Sequence, residues 1–346
     1  MSRKLATIAL SLATLLAPGS PVAAASGLPA VPLYATFGDW LLACDNGRRC
    51  EARGLGPGRA DIRLRRDAGD APALLTLTVR QTRPPDAASI DGEAIAFAAP
   101  VWTARQHDDV SEMSTADPPT VAAFLDRARK ANSLDFPGGA AAPLAGLVPA
   151  LARMDAVQGR VGTPTALVAA RGTRRASDAP PLPPRPVWQP TAPLADGEAA
   201  PLIAAAKRRA AAVMKSSGDC DGIEKDEAHA LDSSHALVAL SCPVNAYQGE
   251  AFVFIVPRQG GAPAAFDTRL PIIGVVYEKL GDIVFDRTTG TLASRSRGAG
   301  LANCGWAAQW VWSDGAFRLA ALSDQRQCGG TAVDDWPSLF RAASGG

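Results

Sequence analysis

Apolar and polar positions alternate in short runs along most of this chain, the period expected of strands with one buried face. "DIRLRR" (61–66) sets Ile62 and Leu64 on one side, and "ALLTLTVR" (73–80) sets Leu75, Leu77 and Val79 against Thr76, Thr78 and Arg80. "EAIAFAA" (93–99) and "TALVAARG" (165–172) read as further strands. In the second half "HALVALSCP" (235–243), "EAFVFIVP" (250–257), "LPIIGVVYE" (270–278) and "DIVFD" (282–286) follow in succession. "AAQWVWSDGAFRLAAL" (307–322) is a hairpin turning at Asp314-Gly315, with Trp310 and Trp312 on one face of its first arm. The period lengthens in three stretches. One helix starts after Asp117, a capping residue followed by Pro118 in the first turn, and buries Val121, Phe124, Leu125 and Ala128. A second spans 142–159 with Leu144, Leu147, Leu151 and Met154 as its stripe, and Pro149 must kink it or mark its true start. A third covers 197–217.

Between these halves, "SDAPPLPPRPVWQPTAPLADG" (177–197) has no usable periodicity, and its prolines favour an extended, semi-rigid linker. The pattern therefore predicts an α+β protein: two β-rich domains with antiparallel sheets and a few helices, 34–174 and 198–344, joined by a proline-rich linker at 175–197.

The N-terminus changes the picture by setting a compartment. Arg3 and Lys4 precede the apolar run Leu5–Ala17, then Pro18, Gly19 and Pro21 and a small-residue stretch. This is the pattern of a secretory signal peptide, residues 1–25, cut near Ala25. The apolar run is shorter than a membrane span, and no later segment reaches spanning length without charges. The expected location is periplasmic. The formal charge is +1 over 346 residues, which offers no footprint for nucleic acid.

Export makes the six cysteines, Cys44, Cys50, Cys220, Cys242, Cys304 and Cys328, candidates for disulfides. Several pairings are open, and the spacing suggests the sequential one, 44–50, 220–242 and 304–328. The two longer loops could each contribute ~3 kcal/mol by chain entropy. "DWLLAC" then reads as a strand turning through "DNGRR", with Asn46-Gly47 as the turn signal and Trp40, Leu42 and Cys44 facing the core.

Candidate chemistry is sparse. Glu227, His229, Asp232 and His235 could offer mixed ligands, but their spacing matches no established metal motif. Asp219, Asp221 and Asp226 do not follow a calcium loop. Ser233 and Ser234 adjoin His235 without a nucleophile elbow. This reading assigns no catalytic residue, no metal and no cofactor.

Five phrases together resemble one family: "DWLLACDNGRRCEARG", "MDAVQGRVGTPTALVA", "CPVNAYQ", "LANCGWAAQWVWSDGAFRLA" and "DWPSLFRA". They are similar, in order, to the domain of unknown function 1176 family of exported Gram-negative proteins. The chain departs from that pattern at Asn303, where an acid is expected, and at "VNAYQ". The first domain is also loosely similar to the invasion-associated locus B family, which implies a small exported β-rich domain. The resemblance implies a periplasmic location and no catalytic residues. The expected function is a non-enzymatic binding or protein-interaction module whose partner is an envelope protein or a small ligand. Two alternatives stay open: an envelope enzyme built around His229, His235 and Asp232, and an inhibitor of a cell-wall-degrading enzyme presenting the "RRC" staple or the "WSDG" tip.

Overall fold

The structure, a computed structural model, describes residues 28–55, 60–217, 220, 225–242, 247–270, 274, 277–300, 303–328 and 333–344. The signal-like segment, most of "CPVNAYQ" and most of 270–278 lie outside the described residues.

The first half is built from β1 (Leu33–Phe37), β2 (Trp40–Cys44), β3 (Cys50–Leu55), β4 (Ala60–Arg66), β5 (Leu74–Arg80), β6 (Ala87–Ile90), β7 (Glu93–Ala96), β8 (Thr103–His107) and β9 (Val110–Thr115). Helix α1 (Pro118–Ala128), short strands β10 (Ser133–Asp135) and β11 (Ala141–Pro143), and helix α2 (Leu147–Val157) complete it. A seven-stranded antiparallel sheet runs β1-β2-β3-β4-β5-β9-β8, and a four-stranded one runs β11-β10-β6-β7. Alternation divides the large sheet. Trp40, Leu42, Ala52, Ile62, Leu64, Leu75 and Leu77 point toward α1 and α2, whose Phe124, Leu125, Leu147, Leu151 and Met154 close the core. Strands β1, β6, β8 and β9 escape the periodicity reading. Every residue of β8, "TARQH", is exposed, so no apolar face marks it.

Asp117 caps α1 as expected, accepting from the Thr120 amide at 3.0 Å. Pro149 marks the true start of α2, in its first turn, while Ala141–Pro143 upstream is a strand. Gly146 stands before the helix at φ 101°, and a Cβ there would collide with the Phe37 carbonyl. Gly54 leaves room for the Trp40 ring, whose Nε1 donates to Pro143 O at 3.0 Å.

The second half holds α3 (Ala199–Ser217), β12 (Glu227–Ala230), β13 (His235–Cys242), β14 (Glu250–Pro257), β15 (Ala264–Ala265), β16 (Leu280–Gly281), β17 (Val284–Asp286), β18 (Thr291–Arg297), β19 (Gly305–Ser313), β20 (Ala316–Gln325) and β21 (Ser338–Arg341). One sheet runs β12-β13-β14-β15 with β16 also on β14, and another runs β17-β18-β19-β20-β21. Helix α3 lays Leu202, Ala206 and Ala210 on Ala236, Val238, Leu240, Phe252 and Phe254. A separate cluster gathers Trp306, Trp310, Trp312, Leu237, Val253 and Leu322 with Leu41 and Ala43 of β2, so one apolar core draws on both halves of the chain. The molecule is thus α+β and mostly β, with antiparallel sheets and three helices among the described residues.

One expectation changes. Residues 165–172 form no strand. The amides of Leu167, Val168 and Ala169 are taken by the Asp155 carboxylate at 2.9–3.1 Å instead of by a neighbouring strand. The proline-rich stretch has no regular structure but is not free of the body. Trp188 Nε1 donates to Leu231 O at 2.9 Å, and Pro183 O accepts from the Ala343 amide at 2.8 Å.

Candidate functional site

Disulfides join Cys44 to Cys50, Cys220 to Cys242 and Cys304 to Cys328. The first closes the β2–β3 turn, the second ties the chain after α3 to β13, and the third brackets the β19–β20 hairpin. Cys44 and Cys50 are also direct register partners. The left-handed residue of their turn is Arg48, φ 58°, not Gly47. Asp45 organises the loop by accepting from the Gly47 and Arg49 amides at 2.8 and 2.9 Å. The turn does not project into solvent. Asn46 exchanges hydrogen bonds with the backbone of Arg341 at 2.9 and 3.0 Å, and Asp45 pairs with the Arg341 guanidinium.

The "MDAVQGRVGT" phrase forms a buried polar knot on the core face of the large sheet. Arg66, at the end of β4, donates Nε to Gln158 Oε1 at 2.6 Å, Nη1 to Thr165 O at 3.0 Å and Nη2 to Asp155 Oδ1 at 2.6 Å. Gln158 Nε2 donates to the carbonyls of Arg48 and Arg66 at 2.8 and 2.9 Å. Asp155 is fully buried and takes the three amides named above. Arg66, Gln158 and Asp155 each have their partners, so these three side chains hold the 158–172 loop and the β2–β3 turn in place.

The opposite face of the same sheet differs. Glu51 and Arg53 of β3, Asp61, Arg63 and Arg65 of β4, Thr78 and Arg80 of β5, and Glu112 of β9 line a polar cleft. Asp334, Asp335, Trp336 and Ser338 cover it from the C-terminal end, and Asn303 enters beside β19. The cleft has two lobes, of about 800 and 220 Å³, that meet at Arg63, Asp334 and Asp335. The clasp between the halves is Arg53 Nη2 to Asp335 O at 2.9 Å and Arg63 Nη1 to Asp335 Oδ1 at 2.8 Å. Arg53 is 1% exposed and pairs with Glu51 at 2.9 Å, yet its Nε and Nη1 have no hydrogen-bond partner among the described residues. Asn303 Oδ1 and Trp336 Nε1 are also buried with no hydrogen-bond partner among the described residues. Burial pushes the Asp61 carboxyl above the usual carboxylate range, against the pull of Arg53 and Arg63. The cleft therefore presents charges of both signs with hydrogen-bonding capacity to spare.

The histidines do not assemble a site. His229 pairs with Glu227 at 3.1 Å and lies against Phe285. His235 Nδ1 meets Asp232 at 3.1 Å, but Asp232 also accepts the Ser234 and His235 amides and Trp312 Nε1. Burial opposes the ionised Asp232, and those hydrogen bonds outweigh it and hold its carboxyl below the usual value. This is a turn lock ahead of β13, and no hydroxyl bonds the other ring nitrogen of His235 among the described residues. No group of three potential metal ligands forms among the described residues.

Sequence reasoning missed the cleft. Its residues lie on the solvent-looking face of alternating strands, and their local signal is arginine and acid at alternate positions of β3 (Glu51, Arg53) and of β4 (Asp61, Arg63, Arg65).

No solved structure matches the chain. Among curated proteins, "Uncharacterized protein YpfG" of Escherichia coli (strain K12) is 28% identical over 337 residues, covering 90% of this chain and 93% of that one. Residues 34–343 match the family described as "Protein of unknown function (DUF1176)", a span that holds the knot, the clasp and all of the large sheet but Leu33. The chain belongs to the DUF1176 family.

Proposed function

We propose that the protein is an exported, periplasmic, non-enzymatic binding module whose two β-rich domains, 34–174 and 198–344, close on a ligand in the polar cleft. One observation carries this reading: Arg53 is a buried guanidinium with two nitrogens unpartnered at the cleft wall. A buried donor of this kind is stable when a partner, a ligand or ordered water completes it. Arg63, Arg65 and Arg80 beside Asp61, Glu112 and Asp335 favour a ligand carrying both charges, as a peptide segment of an envelope protein does. Three disulfides suit an oxidising compartment, and no helix of the described residues is long and apolar enough to cross a membrane.

The test is photo-cross-linking in the intact envelope from benzoylphenylalanine placed at Arg65 or Thr78, with exposed Val284 as control. A recurrent adduct from the cleft positions and not from Val284 is expected. Its absence from both cleft positions overturns the cleft reading. A hydrolytic activity lost on a single Ser or His substitution overturns the non-enzymatic one.

A further inference from the structure

A second cavity lies beside the polar knot, separate from the cleft. It measures about 530 Å³, within the range that holds a small molecule. The β4–β5 turn (Asp70–Ala73), the first turns of α1 and the loop 164–167 enclose it. One wall is apolar: Pro118, Pro119, Val121, Ala122 and Leu125.

The other wall is cationic. Arg160 is 1% exposed and lines the cavity. Its Nη2 donates to the carbonyls of Asp67 and Ala71 at 3.3 and 3.0 Å, and its Nε is buried with no hydrogen-bond partner among the described residues. No acid stands within ion-pair distance of it among the described residues. The charge it faces elsewhere does not cancel it. Arg66 is already paired with Asp155, Arg171 Nε donates to Ala166 O, and Asp70 is an exposed acid on the rim. Burial and the neighbouring Arg66 push the Arg160 guanidinium down to about 10. A buried cation without a counter-ion is strongly disfavoured, and an anion entering the cavity would supply one.

We propose that this cavity binds a small monocarboxylate with an apolar body, its carboxylate paired with Arg160 and its hydrocarbon chain against the α1 wall. The lining carries one net positive charge once the Arg66–Asp155 pair is set aside, which matches a monoanion. With Nη2 held by the Asp67 and Ala71 carbonyls, the remaining guanidinium nitrogens offer the carboxylate a charge-assisted N–H···O contact.

The experiment is calorimetric titration of the disulfide-bonded mature chain with octanoate, with octanol as the uncharged match. Octanoate is expected to bind below about 1 mM and octanol at least about tenfold more weakly. Ala122→Phe fills the cavity from a helix that stays otherwise intact, and it should abolish octanoate binding without lowering Tm. Arg160→Gln should weaken octanoate toward the octanol level. Arg53→Met, in the cleft, should leave octanoate binding unchanged, which separates this site from the one proposed above. No octanoate binding, equal binding of octanol, or binding that survives Ala122→Phe overturns the proposal.

Discussion

Arg66 and Arg53 stand on adjacent strands of one sheet, are 2% and 1% exposed, and each meets a carboxylate, yet they are opposite cases. Arg66 faces the helices and has a partner on Nε, Nη1 and Nη2. Arg53 faces the second half of the chain and leaves Nε and Nη1 unused by the described residues. A saturated buried pair works as an architectural fixture, because removing either member strands the other. An unsaturated one retains the capacity to recognise something that arrives later.

The comparison breaks most sharply at the knot. Asp155→Ala strands Arg66 and three amides, and it should cost about 3–5 kcal/mol in urea unfolding. A cost as small as that of a surface substitution would show that the knot is not the fixture described here. Opening the Cys220–Cys242 loop by Cys→Ser at both positions comes next, at about 2–4 kcal/mol by the same measurement. Arg53→Met sharpens the contrast from the other side. It leaves the buried Glu51 carboxylate without its cation and breaks the contact to Asp335, so it should cost about 1–3 kcal/mol, less than Asp155→Ala, while cleft cross-linking is lost. A loss comparable to that of Asp155→Ala would erase the distinction between the two faces.

The smallest effect is a pH dependence. The Asp61 carboxyl is raised in the folded protein. As pH rises past the unfolded value near 3.8, the unfolded chain gives up this proton first, and stability falls until the folded group ionises as well. Above that window the ionised, half-buried Asp61 is a penalty. Asp61→Asn should therefore raise Tm at neutral pH, with the gain vanishing near pH 3. A gain that persists at acid pH would show that burial of the charge is not its cause.

The Trp40–Cys44 strand, the Asp117 cap, the hairpin at Asp314-Gly315 and the stripe of α2 were legible because each rests on local period and turn chemistry. The strand expected at 165–172 was not there. Its alternation is genuine, but Asp155, twelve or more residues upstream, captures its amides. The Asn46-Gly47 signal likewise located the turn while Arg48 took the left-handed position, because its guanidinium reaches Val157 O and Pro29 O across the fold.

The sequence by itself determined the α+β class, the helices and most of the core faces, since burial periodicity is written residue by residue. Tertiary structure alone decided which arginines are satisfied. Glu51, Arg53, Asp61 and Arg63 read as a solvated face until Asp335, more than 270 residues later, folds over them. Whether a buried charge is fixed or free depends on partners that arrive from distant strands, and no local pattern encodes them.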